Sequence, residues 1–311
     1  GMIVKNTFSI GIIPDFSPVC KQKGGRLAHF RPNCYNGENT LREVDLAMEY
    51  GFIGTGNMGG ALAQAVCRVI PPEEVLLCNR TEEKALRLAR ALGCHTGTAA
   101  DASRCRYVFL GVKPQGMADL LTELRPILAE NREAVLVSMA AGISMAQLCQ
   151  LAGREVPVMR LMPNTPVACG QGIVLWCGNA LLSAEDRAAL TSSLAGAGLV
   201  EELREELMDA GSALCGCSPA FTDLYLESLA DGAVACGIPH AQALRLAAAA
   251  VQGAAALALE SGEHPAVLKN RVCSPAGSTI QGVRMLEARG FRSAVFEALL
   301  AAAGASGSLG K

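Results

Sequence analysis

The chain has 311 residues, is half apolar, and carries a formal net charge of −2. That length accommodates two domains with real cores, while the near-neutral charge excludes partners that demand a strongly basic surface, nucleic acid and acidic membranes among them. The 13 cysteines are scattered and odd in number, with no C-x-x-C pair. They fit neither a zinc site nor a disulfide framework, and read as small buried apolar side chains in a reducing cytoplasm.

Residues 1–47 carry Pro14, Pro18, Gly24, Gly25 and Pro32 without sustained periodicity or a signal-peptide core. They are expected to be a leader outside the fold. Two readings stay open: a poorly ordered natural segment, or a start that belongs at Met48.

Organisation begins with an apolar strand over residues 50–53. It runs into Gly54-x-Gly56-x-x-Gly59, and Met58, Ala61, Leu62, Ala65 and Val66 then recur at helical spacing. Strand, glycine turn and helix in that order point to a dinucleotide. The first glycine allows the tight turn, the second admits the pyrophosphate, and the third lets helix and strand pack closely. Candidate contacts are therefore Gly54, Thr55, Gly56, Asn57, Met58 and Gly59, with the helix N-terminus offering free amides.

A second strand over residues 75–79 precedes a helix over 82–92 closed by Gly93. The end of that strand, where an NAD enzyme carries a carboxylate for the ribose 2′-hydroxyl, reads Asn79-Arg80 instead. An arginine without a carboxylate suits a 2′-phosphate, so NADPH is expected, with NADH as the alternative.

A strand over 107–112 ends in Val112-Lys113-Pro114, assigned to cofactor contact, and a helix follows from 114 to 124. Strands over 135–139 and 156–162 flank a helix near 144–151. After them comes Met162-Pro163-Asn164-Thr165-Pro166, where Asn164 and Thr165 can bond either a cofactor or nearby backbone. A strand over 173–177, a helix over 184–195 and a strand over 199–203 complete an alternating pattern. The fold class expected is α/β, an N-terminal Rossmann-type doubly wound parallel sheet followed by an all-helical C-terminal domain.

Beyond residue 207 only helices are expected: 219–236, 239–260, 265–272, 279–288 and 291–303. The apolar, alanine-rich run 246–259 is too short for a bilayer and reads as a core helix. Residues 216–220 and 274–279 each combine a proline with small residues and hydroxyls. Both read as helix starts, presenting free amides to a small anion or simply capped by Ser218 and Ser274.

Residues 51–59, 112–115, 162–166, 209–220 and 274–280 occur in the order seen in pyrroline-5-carboxylate reductases, and residues 49 to about 303 resemble that family. The resemblance implies NAD(P)H-dependent reduction of 1-pyrroline-5-carboxylate to L-proline, the last step of proline biosynthesis, in the cytoplasm. It implies a homo-oligomer, a dimer or a multiple of dimers, joined through the helical domain. Carried over, Ser274, Gly277, Ser278 and Thr279 lie at the substrate carboxylate, Ser212 acts near the ring nitrogen, and Glu263 lies near the nicotinamide ribose. No metal is implied. Domains are then a Rossmann domain at 48–207, a helical substrate and oligomerisation domain at 208–305, and a flexible tail at 306–311.

The chain departs from the family's usual pattern at Ser212 (threonine), at Cys217 and Ser218 (serine and glycine) and at Ala276 (glycine). The alternatives are a related imine or hydroxy-acid reductase of the same build, and a non-catalytic NADP-binding regulatory protein. Lys269-Asn270 lacks the glycine context of the hydroxy-acid enzymes, and the hydroxyls at Ser212, Ser274 and Thr279 argue against a merely regulatory role.

Overall fold

Eight strands form one sheet: β1 (Tyr50–Ile53), β2 (Val75–Cys78), β3 (His95–Thr96), β4 (Tyr107–Leu110), β5 (Val135–Ser138), β6 (Val158–Pro163), β7 (Gly172–Gly178) and β8 (Gly198–Glu202). Their order is β3-β2-β1-β4-β5-β6-β7-β8. This computed structural model describes residues 48–306, so the expected leader lies outside the described residues, as does the expected tail apart from Ser306.

The central strands are apolar on both faces because helices cover both. Alternation in β1 and β4 sends Phe52 and Phe109 to one side, where they stack with ring centroids 4.2 Å apart. Helices α1 (Asn57–Val66), α2 (Glu82–Leu92) and α6 (Ala184–Ser193) pack on that side. Ile53, Val108 and Leu110 face the other side, under α3 (Ala99–Ala102), α4 (Met117–Glu130) and α5 (Met145–Ala152). This is the doubly wound sheet expected, with one difference. Strands β6 and β7 run antiparallel, because the link over residues 164–171 is too short for a helical crossover and turns back directly. Sequence reading also passes over β3 and α3, since a two-residue exposed strand and a single turn leave no periodicity to detect.

From Met208 onward the described chain is helical: α7 (Met208–Ser212), α8 (Ser218–Ala235), α9 (His240–Ser261), α10 (Pro265–Arg271), α11 (Ser278–Ala288) and α12 (Phe291–Ser306). Two expectations change here. Residues 216–220 do not make a free helix start, although α8 begins at Ser218. A π-helical turn, Ala213–Cys217, joins α7 to α8 with helical dihedrals on both sides (Ser212 φ −59°, Ser218 φ −55°). Pro219 has no N–H to give an α-helical ladder, and the widened turn accommodates it. No row of free amides is presented there, and the Ser218 hydroxyl donates to the Leu214 carbonyl instead of capping.

Nor is α9 a core helix within one copy. At 22 residues it is long and apolar enough to cross a membrane by length and composition, yet only Ala243 and Ala247 on it are buried. Leu224 on α8 and Leu259 on α9 stand 65% and 79% exposed. An apolar surface of this extent marks an interface.

Candidate functional site

The strand order reverses between β1 and β4, and a cleft of about 710 Å³ opens at the C-terminal ends of β1, β2 and β4. Open sheets of this topology bind ligands at that position. The glycines give the cleft its shape. Gly54 adopts φ +96°, and its amide donates to the Cys78 carbonyl at 2.8 Å. A Cβ on Gly59 would lie 2.0 Å from the Gly54 carbonyl oxygen, so α1 can approach the β1 turn only at glycine. Gly56 is different: a Cβ there would meet no protein atom within 4 Å, and the residue lines the cleft.

The N-terminus of α1 has no side-chain cap and no acidic residue in its first turn, which leaves its amides free. Beside it, the Thr55 hydroxyl oxygen is buried with no hydrogen-bond partner. An uncapped helix end, a bare glycine floor and an orphaned hydroxyl together fit a pyrophosphate. Asn57 and Met58 bring their amides to the same turn, while the Met58 side chain packs on the core.

Asn79 accepts from the Thr55 amide at 3.2 Å and donates to the Thr81 carbonyl at 3.1 Å, fastening the β1 turn to the β2 turn. Arg80 lines the cleft, is exposed, and makes no hydrogen bond or ion pair among the described residues. Lys84, in the first turn of α2, lines the same cleft and was not singled out from sequence. Its signal was a second cation one helical turn after Arg80. Val112 and Lys113 form another part of the wall, and Pro114 opens the short turn Pro114–Gly116 behind them.

Ser212 lies apart from that wall. It borders a cavity of about 20 Å³ with Gly142, Arg160, Met162 and Asp209, and its hydroxyl has no partner among the described residues. Arg160, 8% exposed, is flanked by Glu205 at 3.7 Å and Asp209 at 3.6 Å. Glu205 also accepts the Met145 amide at 2.9 Å. Asn164 is buried and bonded at both ends of its amide, accepting from Ile173 N at 2.8 Å and donating to the Cys215 carbonyl at 3.1 Å. Those bonds favour the structural of its two readings.

Burial pushes the thiols of Cys78 and Cys215 upward, so neither is a ready nucleophile. Burial alone would also raise Asp186, but hydrogen bonds from Ser183 and Arg106 outweigh it and hold that carboxyl below its usual range. Asp186 sits in a structural ion pair with Arg106 at 2.8 Å.

The other sequence-singled residues lie elsewhere. Glu263 forms a two-pronged ion pair with Arg271. Ser274, Ser278 and Thr279 are exposed, and Gly277 is the N-cap of α11 with no side-chain cap, so Ser274 does not cap it. A Cβ on Gly277 would lie 2.3 Å from the Ser274 hydroxyl oxygen, which folds over that glycine. None of Glu263, Ser274, Gly277, Ser278 and Thr279 lines the cleft or the Ser212 cavity.

Ala276 adopts φ +58°, the only left-handed non-glycine among the described residues. Left-handed alanine costs about 1–2 kcal/mol, and glycine's extra freedom when unfolded returns about half of that. Ala276→Gly is therefore expected to raise the calorimetric unfolding midpoint by about 1–3 °C. A fall would show that the alanine methyl makes a stabilising contact.

Known proteins share this layout. A family model described as pyrroline-5-carboxylate reductase dimerisation matches residues 205–309, and one described as NADP oxidoreductase, coenzyme F420-dependent, matches residues 49–142. The chain is 37% identical over 253 residues to the pyrroline-5-carboxylate reductase of Escherichia coli (strain K12), covering 80% of this chain and 93% of that one. It is 38% identical over 259 residues to the Pisum sativum enzyme, covering 81% and 93%. Among solved structures, a pyrroline-5-carboxylate reductase from Coxiella burnetii aligns with a TM-score of 0.79 at 28% identity, covering 85% and 99%. The Plasmodium falciparum enzyme, solved with NADP bound, aligns with a TM-score of 0.75 at 26% identity, covering 85% and 98%.

Proposed function

The chain belongs to the pyrroline-5-carboxylate reductase family, and from that premise we propose how its residues divide the work. The reaction is reduction of 1-pyrroline-5-carboxylate to L-proline with NADPH, by hydride transfer to the ring imine. Bound NADPH supplies the hydride from C4 of its nicotinamide. A protonated cyclic imine already accepts hydride well, so the protein's contribution is to bind, orient and hold charge.

The observation that carries this reading is the bare, uncapped turn at Gly56 beside the orphaned Thr55 hydroxyl. Amides of residues 56–59 hold the pyrophosphate. Arg80 and Lys84 hold the 2′-phosphate, and Asn79 keeps their two loops in register. Val112 and Lys113 support the cofactor farther along the cleft. Ser212 hydrogen-bonds near the ring nitrogen and favours its protonated form. The open amides at the start of α11, with the hydroxyls of Ser274, Ser278 and Thr279, hold the substrate carboxylate.

The chain carries a dimerisation region, and the protein is a homo-oligomer. In finer detail, the exposed faces of α8 and α9 form the dimer interface, and residues 274–279 of one copy complete the cleft of the other. Support comes from the exposure of that segment and its absence from the lining of the cleft in its own copy. We divide the chain functionally at 207/208, and assign it to the cytoplasm from its scattered, odd-numbered cysteines.

Arg80→Ala tests the cofactor assignment. Losing one charge-assisted contact, worth about 1.5–3 kcal/mol, is expected to raise the NADPH KM roughly 10- to 150-fold and leave NADH use nearly unchanged. Equal losses with both cofactors would make Arg80 structural.

A further inference from the structure

Cys67 and Cys94 bring their sulfur atoms within 3.3 Å of each other across 27 residues of sequence. Cys67 caps the C-terminal end of α1. Cys94 follows Gly93, whose left-handed turn (φ +83°) ends α2 and leads the chain to β3. Both are half-buried and, with Ile70 and Leu88, pack against the core cluster that includes Val66 and Ala89. Cysteine sulfurs elsewhere in the described chain show no such contact. Either thiol can donate to the other across that gap; with Cys94 as the donor, the hydrogen bond draws Cys67 below its usual range and holds Cys94 above it. The pair therefore has a sulfur suited to attack and a partner held beside it.

We propose that Cys67 and Cys94 are a reversible oxidation site, closed to a disulfide by peroxide and reopened by thiol reductants. The Cys67 sulfur attacks one peroxide oxygen, the O–O bond breaks, and the thiol proton leaves with the departing oxygen as water. The sulfenic acid on Cys67 is then attacked by the Cys94 sulfur. An S–S bond forms, the S–O bond breaks, and the Cys94 proton departs with that oxygen as a second water. Two thiols and one peroxide give one disulfide and two waters, each sulfur giving up one electron to the peroxide oxygens. An S–S bond of about 2.05 Å asks for a closure of only about 1.3 Å.

The bridge would tie the far end of α1 to the chain leaving α2. The near end of α1 holds the pyrophosphate turn, and the start of α2 follows Arg80. A loop containing β2 and α2 would thus be closed without a new atom entering the cleft. Oxidation at this site protects the cofactor-binding unit; it does not switch the enzyme off.

The test treats the full chain with hydrogen peroxide, blocks remaining thiols with iodoacetamide, and maps peptides by mass spectrometry. The expected product is a Cys67–Cys94 cross-linked peptide that dithiothreitol removes. It should come with an unfolding midpoint raised by about 5 °C or more and an NADPH KM unchanged within about twofold. Cys94→Ser should accumulate overoxidised Cys67 without the rise, which separates this pair from the exposed Cys169 and Cys236. Overoxidised or alkylated Cys67 and Cys94 in the wild-type chain, with no joined peptide, would overturn the site. A joined peptide without the rise in midpoint would overturn its protective role.

Discussion

Gly56→Val is expected to yield a folded protein that has lost NADPH binding. Gly56 has φ −68° and ψ −167°, extended backbone that valine adopts readily. A Cβ there meets no protein atom within 4 Å, so the fold has no reason to object. The space it would fill is the site proposed for the pyrophosphate, against the α1 amides. We expect the unfolding midpoint of the apoprotein to stay within about 2 °C and NADPH affinity by titration to fall at least about 100-fold. Gly59→Ala supplies the contrast: its Cβ would stand 2.0 Å from the Gly54 carbonyl, so it should lower the midpoint itself. Unchanged NADPH affinity in Gly56→Val would remove the pyrophosphate from this turn.

The second large effect concerns the carboxylate. Thr279→Val keeps the side-chain shape in the first turn of α11 and removes one donor. A hydrogen bond to a charged group is worth about 1.5–3 kcal/mol, so kcat/KM for 1-pyrroline-5-carboxylate should fall roughly 10- to 150-fold, with NADPH binding unchanged. The parent ring 1-pyrroline, which lacks the carboxylate, should be a poor substrate for the wild type and indifferent to the mutation. If 1-pyrroline is reduced as well as the carboxylate, residues 274–279 are only the start of a helix. Mixing the two variants adds a geometric test. When residues 274–279 complete the partner's cleft, a dimer of Gly56→Val with Thr279→Val has one doubly damaged site and one intact site. Random re-association should then restore about a quarter of wild-type activity. No recovery would place both half-sites within one copy.

How much of this was legible beforehand varies with the physics of each element. The β1 turn could be read because three glycines, an apolar strand and a helical repeat are all local signals, and Gly54, Gly56 and Gly59 each have a distinct steric task. Arg80 could be read because its place is fixed by the strand before it. Lys84 escaped because a lysine early in a helix normally faces solvent. Residues 216–220 read as an open helix start because Pro219 does stand in the first turn of α8, and nothing local reveals the π-helical turn that joins it to α7. The antiparallel β6–β7 pair depended on a loop length that was visible but unused. Exposure of α9 was illegible in principle: an alanine-rich face looks the same whether its own chain or a second copy covers it. The Cys67–Cys94 contact was hidden for the opposite reason, since residues 27 apart in sequence meet only once two helices are packed. Ala276 stood out as a departure from the family's usual glycine, but its φ of +58° supplied the physical meaning.

Hydride transfer to the ring imine can be followed directly. The purified protein would be incubated with 1-pyrroline-5-carboxylate and NADPH deuterated at the transferring C4 position, and the product examined by mass spectrometry and NMR. The expected product is L-proline carrying one deuterium on the ring carbon that was double-bonded to nitrogen, formed one for one with NADPH consumed. NADPH consumption without labelled proline, or no consumption in the presence of this substrate, would contradict it.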